Sequence, residues 1–354
     1  MNGKVKKQLK FNETEDIETV ICKNCGEICD KYNAVYFDKV CLCEECYNEH
    51  TFICSFCGQT HWVKNAFDDG NIILCEKCYL NKKDKVKLQY NVYSNSLVSE
   101  YIHDYSYKPE PIFYGKGIFY GVELEIDGKG DENETARQLL KIANEKAKHL
   151  YCKLDNSLKC GFELVTHPMT LQYHMREMNW KEILQKCIDM GYSSYDTDTC
   201  GLHIHVGRRE LGKNLEQQEK VIEEILFFLE SHWNNLLQFS RRTETQINRW
   251  AARYDYKENL SKILEYAKNI DKRYMCLNLQ NEESIEFRIF RGSLNYQHVI
   301  AAIQLVDTIC NAAISISNEM FKIMTWSCFL KGIDFSCKKE LYDYLKEKEL
   351  LEIE

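Results

Sequence analysis

The sequence has no long apolar run and no apolar segment at its start. A transmembrane helix needs about 18 or more consecutive apolar residues, so we expect none here. The opening residues, MNGKVKKQLKF, lack the hydrophobic stretch of a secretory signal, which disfavours secretion. We therefore predict a cytoplasmic protein that does not act at a membrane.

The chain also lacks an excess of positive charge and a phosphate-binding glycine loop. Its formal net charge is −8, whereas a general nucleic-acid binder needs clustered lysine and arginine. Nucleic acid is therefore disfavoured as a partner. No GxxxxGK motif occurs, so a P-loop nucleotide site is unsupported. Proline is rare, and two of its three residues, Pro109 and Pro111, mark a domain boundary.

The length of 354 residues predicts two or three folding units. We expect the following segments: 1–20, a flexible N-terminus; 21–80, a tandem cysteine module; 81–111, a connector; 112–335, a large domain; and 336–354, a C-terminal helix. Alternating apolar residues predict strands at 118–127, 160–166, 201–207 and 284–291. Helical periodicity predicts helices at 134–150, 214–239, 257–270, 297–320 and 338–352.

Eighteen cysteines are present, and ten of them lie within residues 22–78. Without an export signal, this concentration favours metal sites over disulfides. Two CxxC pairs separated by seventeen residues occur twice, at an offset of 32. Zinc takes four thiolates in a tetrahedron. The predicted zinc ligands are Cys22, Cys25, Cys43 and Cys46 in one site and Cys54, Cys57, Cys75 and Cys78 in the other. An interleaved pairing stays open.

The cysteine module is predicted to be structural, because a closed four-thiolate site leaves no position for a substrate. It resembles a zinc ribbon or a treble clef. Residues 1–90 carry 13 basic and 14 acidic side chains, which favours a protein partner over DNA. Four further residues of metal-binding type are interpreted as non-ligands: Cys29, Cys41, His50 and His61. Most of the eight cysteines outside the module are interpreted as core thiols.

The four predicted strands share one chemical pattern. Each buries apolar side chains on one face and presents acidic, imidazole or guanidinium groups on the other. The polar groups are Glu123, Glu125 and Asp127; Glu163; His203 and His205; and Glu286 and Arg288. Four ordinary solvated strands are the alternative. Carboxylates two residues apart on a strand repel each other unless a cation lies between them. Arginine binds phosphate oxygens. These polar groups therefore favour a site for divalent cations and phosphates.

These residues carry a family resemblance. The ordered segments are GVELE, DNSL, GFELVTHPM, CGLHIHVG, RYMCLNL and IEFRIFRGSL. In this order the chain resembles the amidoligase family, within the glutamine synthetase and glutamate–cysteine ligase superfamily. The resemblance covers roughly residues 112–320 and says nothing about residues 1–90. It implies an α+β catalytic domain, with a mainly antiparallel sheet forming a funnel and helices behind it.

The resemblance also implies a reaction. An ATP- and Mg²⁺-dependent carboxylate–amine ligase forms an acyl phosphate, which an amine converts to an amide, here on a peptide or protein. By similarity to glutamine synthetase, one metal is held by Glu123, His203 and Glu286, and a second by Glu125 and Glu163. The third ligand of the second metal stays open between Asp127 and Asp155.

Further roles follow from the same resemblance. Arg288 would contact the transferring phosphate, Arg291 the phosphate or the substrate, and His205 either the ATP side or one of the metal ligands from behind. Arg273 and Asn278 match a segment beside the last strand. An arginine cluster, Arg241, Arg242, Arg249 and Arg253, is either an anion clamp or a solvated helix face. Two other functions stay open: a zinc-dependent hydrolase using His203, His205 and Glu123, and a non-catalytic zinc-ribbon adaptor.

Overall fold

The computed structural model divides into two compact units, Met1–Val98 and Ser99–Glu354. The structure describes residues 19–31, 34–54, 59–68, 73–79, 99–256, 262–270 and 272–351. Most of the predicted flexible N-terminus and of the predicted connector lies outside those residues. The second unit begins at Ser99 rather than at residue 112, because Ile102–His103 forms a strand of its sheet.

The first unit consists of short antiparallel hairpins. Those of the described residues are β1 (Thr19–Ile21) with β2 (Ile28–Asp30), β3 (Val35–Phe37) with β4 (Val40–Leu42), β5 (Thr51–Ile53) with β6 (Thr60–Trp62), and β7 (Ala66–Asp68) with β8 (Ile73–Cys75). Helix α1 (Glu44–His50) follows β4. Leu42 and Leu74, at equivalent repeat positions, are both fully buried, and each packs among cysteines in a very small core.

The second unit is built on one sheet. Its strands are β9 (Ile102–His103), β10 (Phe119–Gly128), β11 (Leu150–Lys153), β12 (Gly161–Thr166), β13 (Met169–Thr170), β14 (Tyr192–Ser193), β15 (Gly201–Gly207), β16 (Leu277–Asn278) and β17 (Ser284–Arg291). The main order is β16–β17–β15–β10–β12–β11–β9, and β13 and β14 also pair with β10. Only the β9–β11 pair is parallel among these described strands. The four predicted strands are present within one residue of their expected limits.

Helices cover the apolar face of the sheet. They are α2 (Glu132–Ala143), α3 (Leu171–Arg176), α4 (Trp180–Asp189), α5 (Leu215–Ser231), α6 (Trp233–Ser240), α7 (Glu244–Trp250), α8 (Ile263–Lys268), α9 (Tyr296–Ser315), α10 (Asn318–Lys322), α11 (Trp326–Lys331) and α12 (Lys339–Glu347). Strand residues such as Val122, Leu124 and Ile204 are fully buried in the same core as the helices. The architecture is therefore mixed α and β with a mainly antiparallel sheet.

Four predicted helices are shorter than expected, among them the 338–352 helix, which ends at Glu347. The helix predicted at 134–150 ends at Ala143, because the Asn144 side chain accepts hydrogen bonds from the amides of His149 and Leu150 and closes a turn. The 214–239 helix breaks at His232, and the 297–320 helix breaks at Ile316, whose backbone is extended. The start of the predicted 257–270 helix lies outside the described residues.

Helix α9 is long and apolar enough, by length and composition alone, to cross a membrane. In the structure 67% of its most apolar window is buried inside the second unit. It contacts α5 and α12 and is the central helix of the core. These observations are those expected of a core helix.

Gly161 is predicted to be essential for the pairing of β10 with β12. A Cβ atom at this position would lie 1.9 Å from the Ile126 carbonyl oxygen, so the strands would have to separate. We expect Gly161→Ala to lower the free energy of unfolding by about 3 kcal/mol in urea denaturation. Gly121→Ala is the matched control on β10, since its Cβ would meet nothing closer than 3.5 Å. Equal losses in the two variants would contradict this explanation.

Candidate active site

The register of the sheet assembles a polar surface on the face opposite the core. Glu123 of β10 pairs with His203 of β15, and Glu125 of β10 pairs with Glu163 of β12. Glu286 of β17 pairs with His205. Because directly paired residues point to the same side of a sheet, the acidic and imidazole groups of four strands share one face. Most are nearly buried, with Glu125, Glu163, His203 and Glu286 each at most 5% exposed.

A first group of possible metal ligands combines Glu123, His205 and Glu286, whose ligand atoms all lie within 4.8 Å of one another. The His205 Nε2 atom is 3.5 Å from Glu123 Oε1 and has no hydrogen-bond partner in the described part of the chain. Its Nδ1 is 3.2 Å from Ser284 Oγ, a contact that orients the ring. Asn278 donates a 2.8 Å hydrogen bond to Glu286. An imidazole nitrogen held this way suits a metal.

A second group combines Glu125, Asp155 and Glu163, again within 4.8 Å. Glu125 accepts a 2.6 Å hydrogen bond from the Gly201 amide. Of the two candidates for the third position, Asp155 lies here. Asp127 instead accepts hydrogen bonds from the amides of Lys159 and Cys160, at 3.2 and 2.8 Å, and so closes the turn before β12.

Two residues lie between the groups. His203 places Nδ1 3.5 Å from Glu286 and 3.7 Å from Glu123, and Nε2 3.8 Å from Glu125. It therefore contacts both groups, whereas the sequence had assigned it to the first and His205 to the ATP side or to a position behind a metal ligand. Lys153 places Nζ 3.1 Å from Glu163 and 3.8 Å from Glu123. Sequence reasoning missed Lys153 because it lies on β11, which was not among the predicted strands.

The charges of the two groups differ. Burial would raise the pKa of Glu123, but the adjacent His205 and His203 hold it well below its ordinary value. Glu286 likewise has a lowered pKa, since Arg288 and the two histidines outweigh its burial. In the second group, burial raises the pKa of both Glu125 and Glu163, and neighbouring carboxylates raise it further. Asp155 differs, because hydrogen bonds with Glu163 and Ser157 outweigh its burial and lower its pKa, so the two glutamates are the members that lack positive charge.

Arg288 and Arg291 both lie on the polar side of β17, although strict alternation would separate them. The register between β15 and β17 shifts: Leu202 pairs with Phe290, and Ile204 with Phe287, which inserts one extra residue in β17. Such a bulge resets the alternation. Arg288 contacts Glu286, and the Arg291 guanidinium lies 4.2 Å from the Tyr195 ring centre.

The remaining predicted residues have other contacts. Arg273 contacts the Tyr105 hydroxyl and stacks on Tyr274, outside both ligand groups. Within the arginine cluster, Arg253 forms a 2.8 Å ion pair with Glu230, and Arg249 stacks on Trp250. Neither contact is that of an anion clamp. Arg241 and Arg242 instead line a cavity with Arg291.

In the first unit, the sulfurs of Cys22, Cys25, Cys43 and Cys46 lie within 4.8 Å of one another. The Cys25 and Cys43 sulfurs are 3.8 Å apart, close to the spacing of about 3.8 Å between two thiolates that share a zinc at about 2.3 Å. Cys54, Cys75 and Cys78 form a second group, and Cys57 lies outside the described residues. The groups follow the sequential pairing. Cys29 and Cys41 belong to neither group in the part that the structure describes.

Comparison with known families fits this geometry. The family model Amidoligase_2, described as "Putative amidoligase enzyme", matches residues 124–310, more than half of the chain. The chain belongs to the amidoligase family. The amidoligase match spans β10 from Leu124 to most of α9, and therefore includes five of the six residues in the two ligand groups; Glu123 precedes it by one residue. No curated protein matches the chain.

Proposed function

We propose that the protein is an ATP- and Mg²⁺-dependent carboxylate–amine ligase that forms an amide or isopeptide bond through an acyl phosphate. One observation carries the proposal: two ligand groups lie side by side on one sheet face, joined by His203. A ligase must bring the anionic triphosphate and a carboxylate together, and adjacent divalent cations neutralise that repulsion. A glutamine synthetase-like sheet funnel is part of the same proposal.

The donor set fits magnesium ions. Carboxylate oxygens are the ligands that Mg²⁺ prefers, and His203 Nδ1 and His205 Nε2 are buried atoms without a hydrogen-bond partner among the described residues. Bound Mg²⁺ would supply charge neutralisation at the phosphates. Glu123, His205 and Glu286 would hold one ion, and Glu125, Asp155 and Glu163 the other. The Arg288 Nε atom, also without a partner in the described chain, would donate to a phosphate oxygen.

The test is Mg²⁺-dependent ADP release by the full-length chain incubated with ATP and a cell extract, followed by mass spectrometry for a new amide. We expect release by the wild type and its loss in Glu123→Ala and Arg288→Ala. Equal turnover in those variants would refute the ligase. More than two zinc ions per chain, together with no ATP binding, would indicate zinc at the histidines. That result would identify a hydrolase instead.

We further infer that the first unit binds two structural zinc ions and contacts a protein. Its cores are too small to stabilise the unit without a metal. Large apolar side chains such as Ile21, Ile28 and Tyr36 are more than 60% exposed, as expected where a protein partner binds. Intact thiolates require a reducing compartment, in line with the predicted cytoplasmic location.

Zinc content gives a direct prediction. We expect two zinc ions per chain in the wild type and one in Cys46→Ser, with faster proteolysis of the first unit, because metal binding supplies its folding energy. Cys41→Ser is the matched control, since Cys41 lies outside the ligand group, and it should retain two. Metal analysis of purified chains measures this. Two zinc ions in Cys46→Ser, or one in the control, would contradict the assignment.

A further inference from the structure

A cavity of about 420 Å³ is lined by three arginines and by uncharged side chains, all but one of them polar. Those relevant here are Tyr195, Asn234, Gln238, Arg241, Arg242 and Arg291. No carboxylate of the described residues lines it. The cavity lies where the turn after α6 approaches the end of β17, since Arg242 donates a hydrogen bond to the Phe290 carbonyl and Arg241 to the Arg291 carbonyl.

The three guanidinium groups have no acidic partner in the part of the chain that the structure describes. None of them forms an ion pair within the described chain, whereas Arg253 and Arg288 each pair with a glutamate. Arg242 is only 6% exposed, and its Nε atom and that of Arg291 lack any hydrogen-bond partner among the described residues. A buried charge without a counter-ion is costly. The site is therefore short of an anion.

Other features indicate a constructed site rather than an accidental gap. The pKa of Arg242 is lowered to about 10, mainly by burial and also by the nearby Arg288 and Arg291, whereas Glu125 raises it. The Arg242 guanidinium is therefore still charged at neutral pH. The Tyr195 ring lies beside both Arg241 and Arg291, at 5.5 and 4.2 Å.

The cavity adjoins the metal-binding face. A Cβ atom on Gly201 would lie 2.5 Å from His203 Nε2 and 2.8 Å from Arg242 Nη2, so the imidazole and the guanidinium both approach the space above the Gly201 Cα atom. On the other side, Tyr195 and Arg241 also line a larger cavity of about 900 Å³ that reaches Lys181 and Tyr296. A ligand in the arginine cavity would thus extend from the metal groups towards open space.

We propose that this cavity binds a second carboxylate of the acyl substrate, the one that is not activated. The substrate class is then a dicarboxylate, such as a glutamyl or aspartyl unit with a free carboxylate, and the larger cavity accommodates what is attached to it. Arginine forks bind carboxylates through paired hydrogen bonds, and the Asn234 and Gln238 amides suit a neighbouring peptide group. This inference rests on the proposed ligase function.

Calorimetric titration of the full chain tests the proposal with glutarate, its monoamide and inorganic phosphate as probes. We expect glutarate to bind at least about 10-fold more tightly than the monoamide or phosphate. Arg242→Met and Arg291→Gln should weaken glutarate binding by roughly 30-fold, and Arg242→Met should leave Mg·ATP binding unchanged. Arg209→Met, in an 81% exposed side chain, is the control.

Equal affinity for glutarate and its monoamide would overturn the proposal. This comparison uses the wild type alone, so a variant that fails to fold does not affect the comparison. Loss of Mg·ATP binding in Arg242→Met, with glutarate binding retained, would also overturn it and assign the cavity to phosphate. Glutarate selectivity without any ADP release would uphold the cavity and refute the ligase. ADP release without selectivity would refute the cavity alone.

Discussion

Glu123→Gln is expected to lower Mg²⁺-dependent ADP release by about 100-fold or more, because mutations even beyond the direct ligands cost 10–100-fold in metal affinity or activity. Glutamine keeps the shape of the side chain and removes its charge. The lowered pKa of Glu123 means that this charge is present at neutral pH. Its oxygens lie 3.5 Å from His205 and 3.7 Å from His203, so the loss affects both imidazoles.

Steady-state ADP release at saturating ATP, with Mg²⁺ varied, measures the effect. Glu134→Gln is the control, since Glu134 is a partly exposed residue of α2 paired with Arg137 at 2.6 Å. It should retain full turnover. A higher Mg²⁺ concentration should partly restore the turnover of Glu123→Gln, because the substitution weakens cation binding. A Glu123→Gln variant with wild-type turnover would remove this carboxylate from the reaction.

Glu125→Gln is expected to reduce the stabilising effect of Mg²⁺ while leaving the metal-free protein at least as stable as the wild type at pH 8. Burial and the nearby Asp155 raise the pKa of Glu125, so ionisation of this carboxyl opposes folding in the absence of a cation. A neutral amide removes that cost and retains an acceptor for the Gly201 amide. Function and stability are thus opposed at this position.

The pH dependence gives the sign of this effect. A carboxyl whose pKa is raised by folding favours the folded state while protonated, and that contribution is lost as pH rises above the ordinary carboxyl range. Without Mg²⁺ the wild-type Tm should therefore fall from pH 5.5 to pH 8 more than that of Glu125→Gln. Added Mg²⁺ should raise the wild-type Tm more at pH 8 than at pH 5.5.

Scanning calorimetry at the two pH values, with and without Mg²⁺, makes the comparison. Glu182→Gln, on the exposed side of α4, should behave as the wild type. The prediction is wrong if Glu125→Gln keeps the full Mg²⁺ response. It is also wrong if the wild-type response is larger at pH 5.5.

Alternation along single strands was enough to predict much of the candidate site. It identified Glu123, Glu125, His203 and Glu286 as residues on the polar faces of buried strands, and the sheet brings those faces together. Each strand predicted this way is present because apolar side chains at every second position need a core. What alternation cannot provide is the order of the strands, which long-range packing decides.

Three parts of the site depended on that missing information. Cross-strand register, not spacing, groups His205 with Glu123 and Glu286 and leaves His203 between the groups. Lys153 and Asp155 come from β11 and the turn after it, and β11 was not among the predicted strands; spacing alone therefore could not choose between Asp127 and Asp155. The bulge that turns Arg291 towards the polar side arises from pairing with β15.

Manganese binding tests the central claim most directly, because Mn²⁺ replaces Mg²⁺ at oxygen-rich sites and is visible by electron paramagnetic resonance. The account predicts two Mn²⁺ ions per chain in the second unit, with a spectrum broadened by their proximity, and at most one unbroadened ion in Glu125→Gln. Wild-type protein that binds no Mn²⁺, or two ions that persist unchanged in Glu125→Gln and Glu123→Gln, would contradict a paired cation site on this sheet.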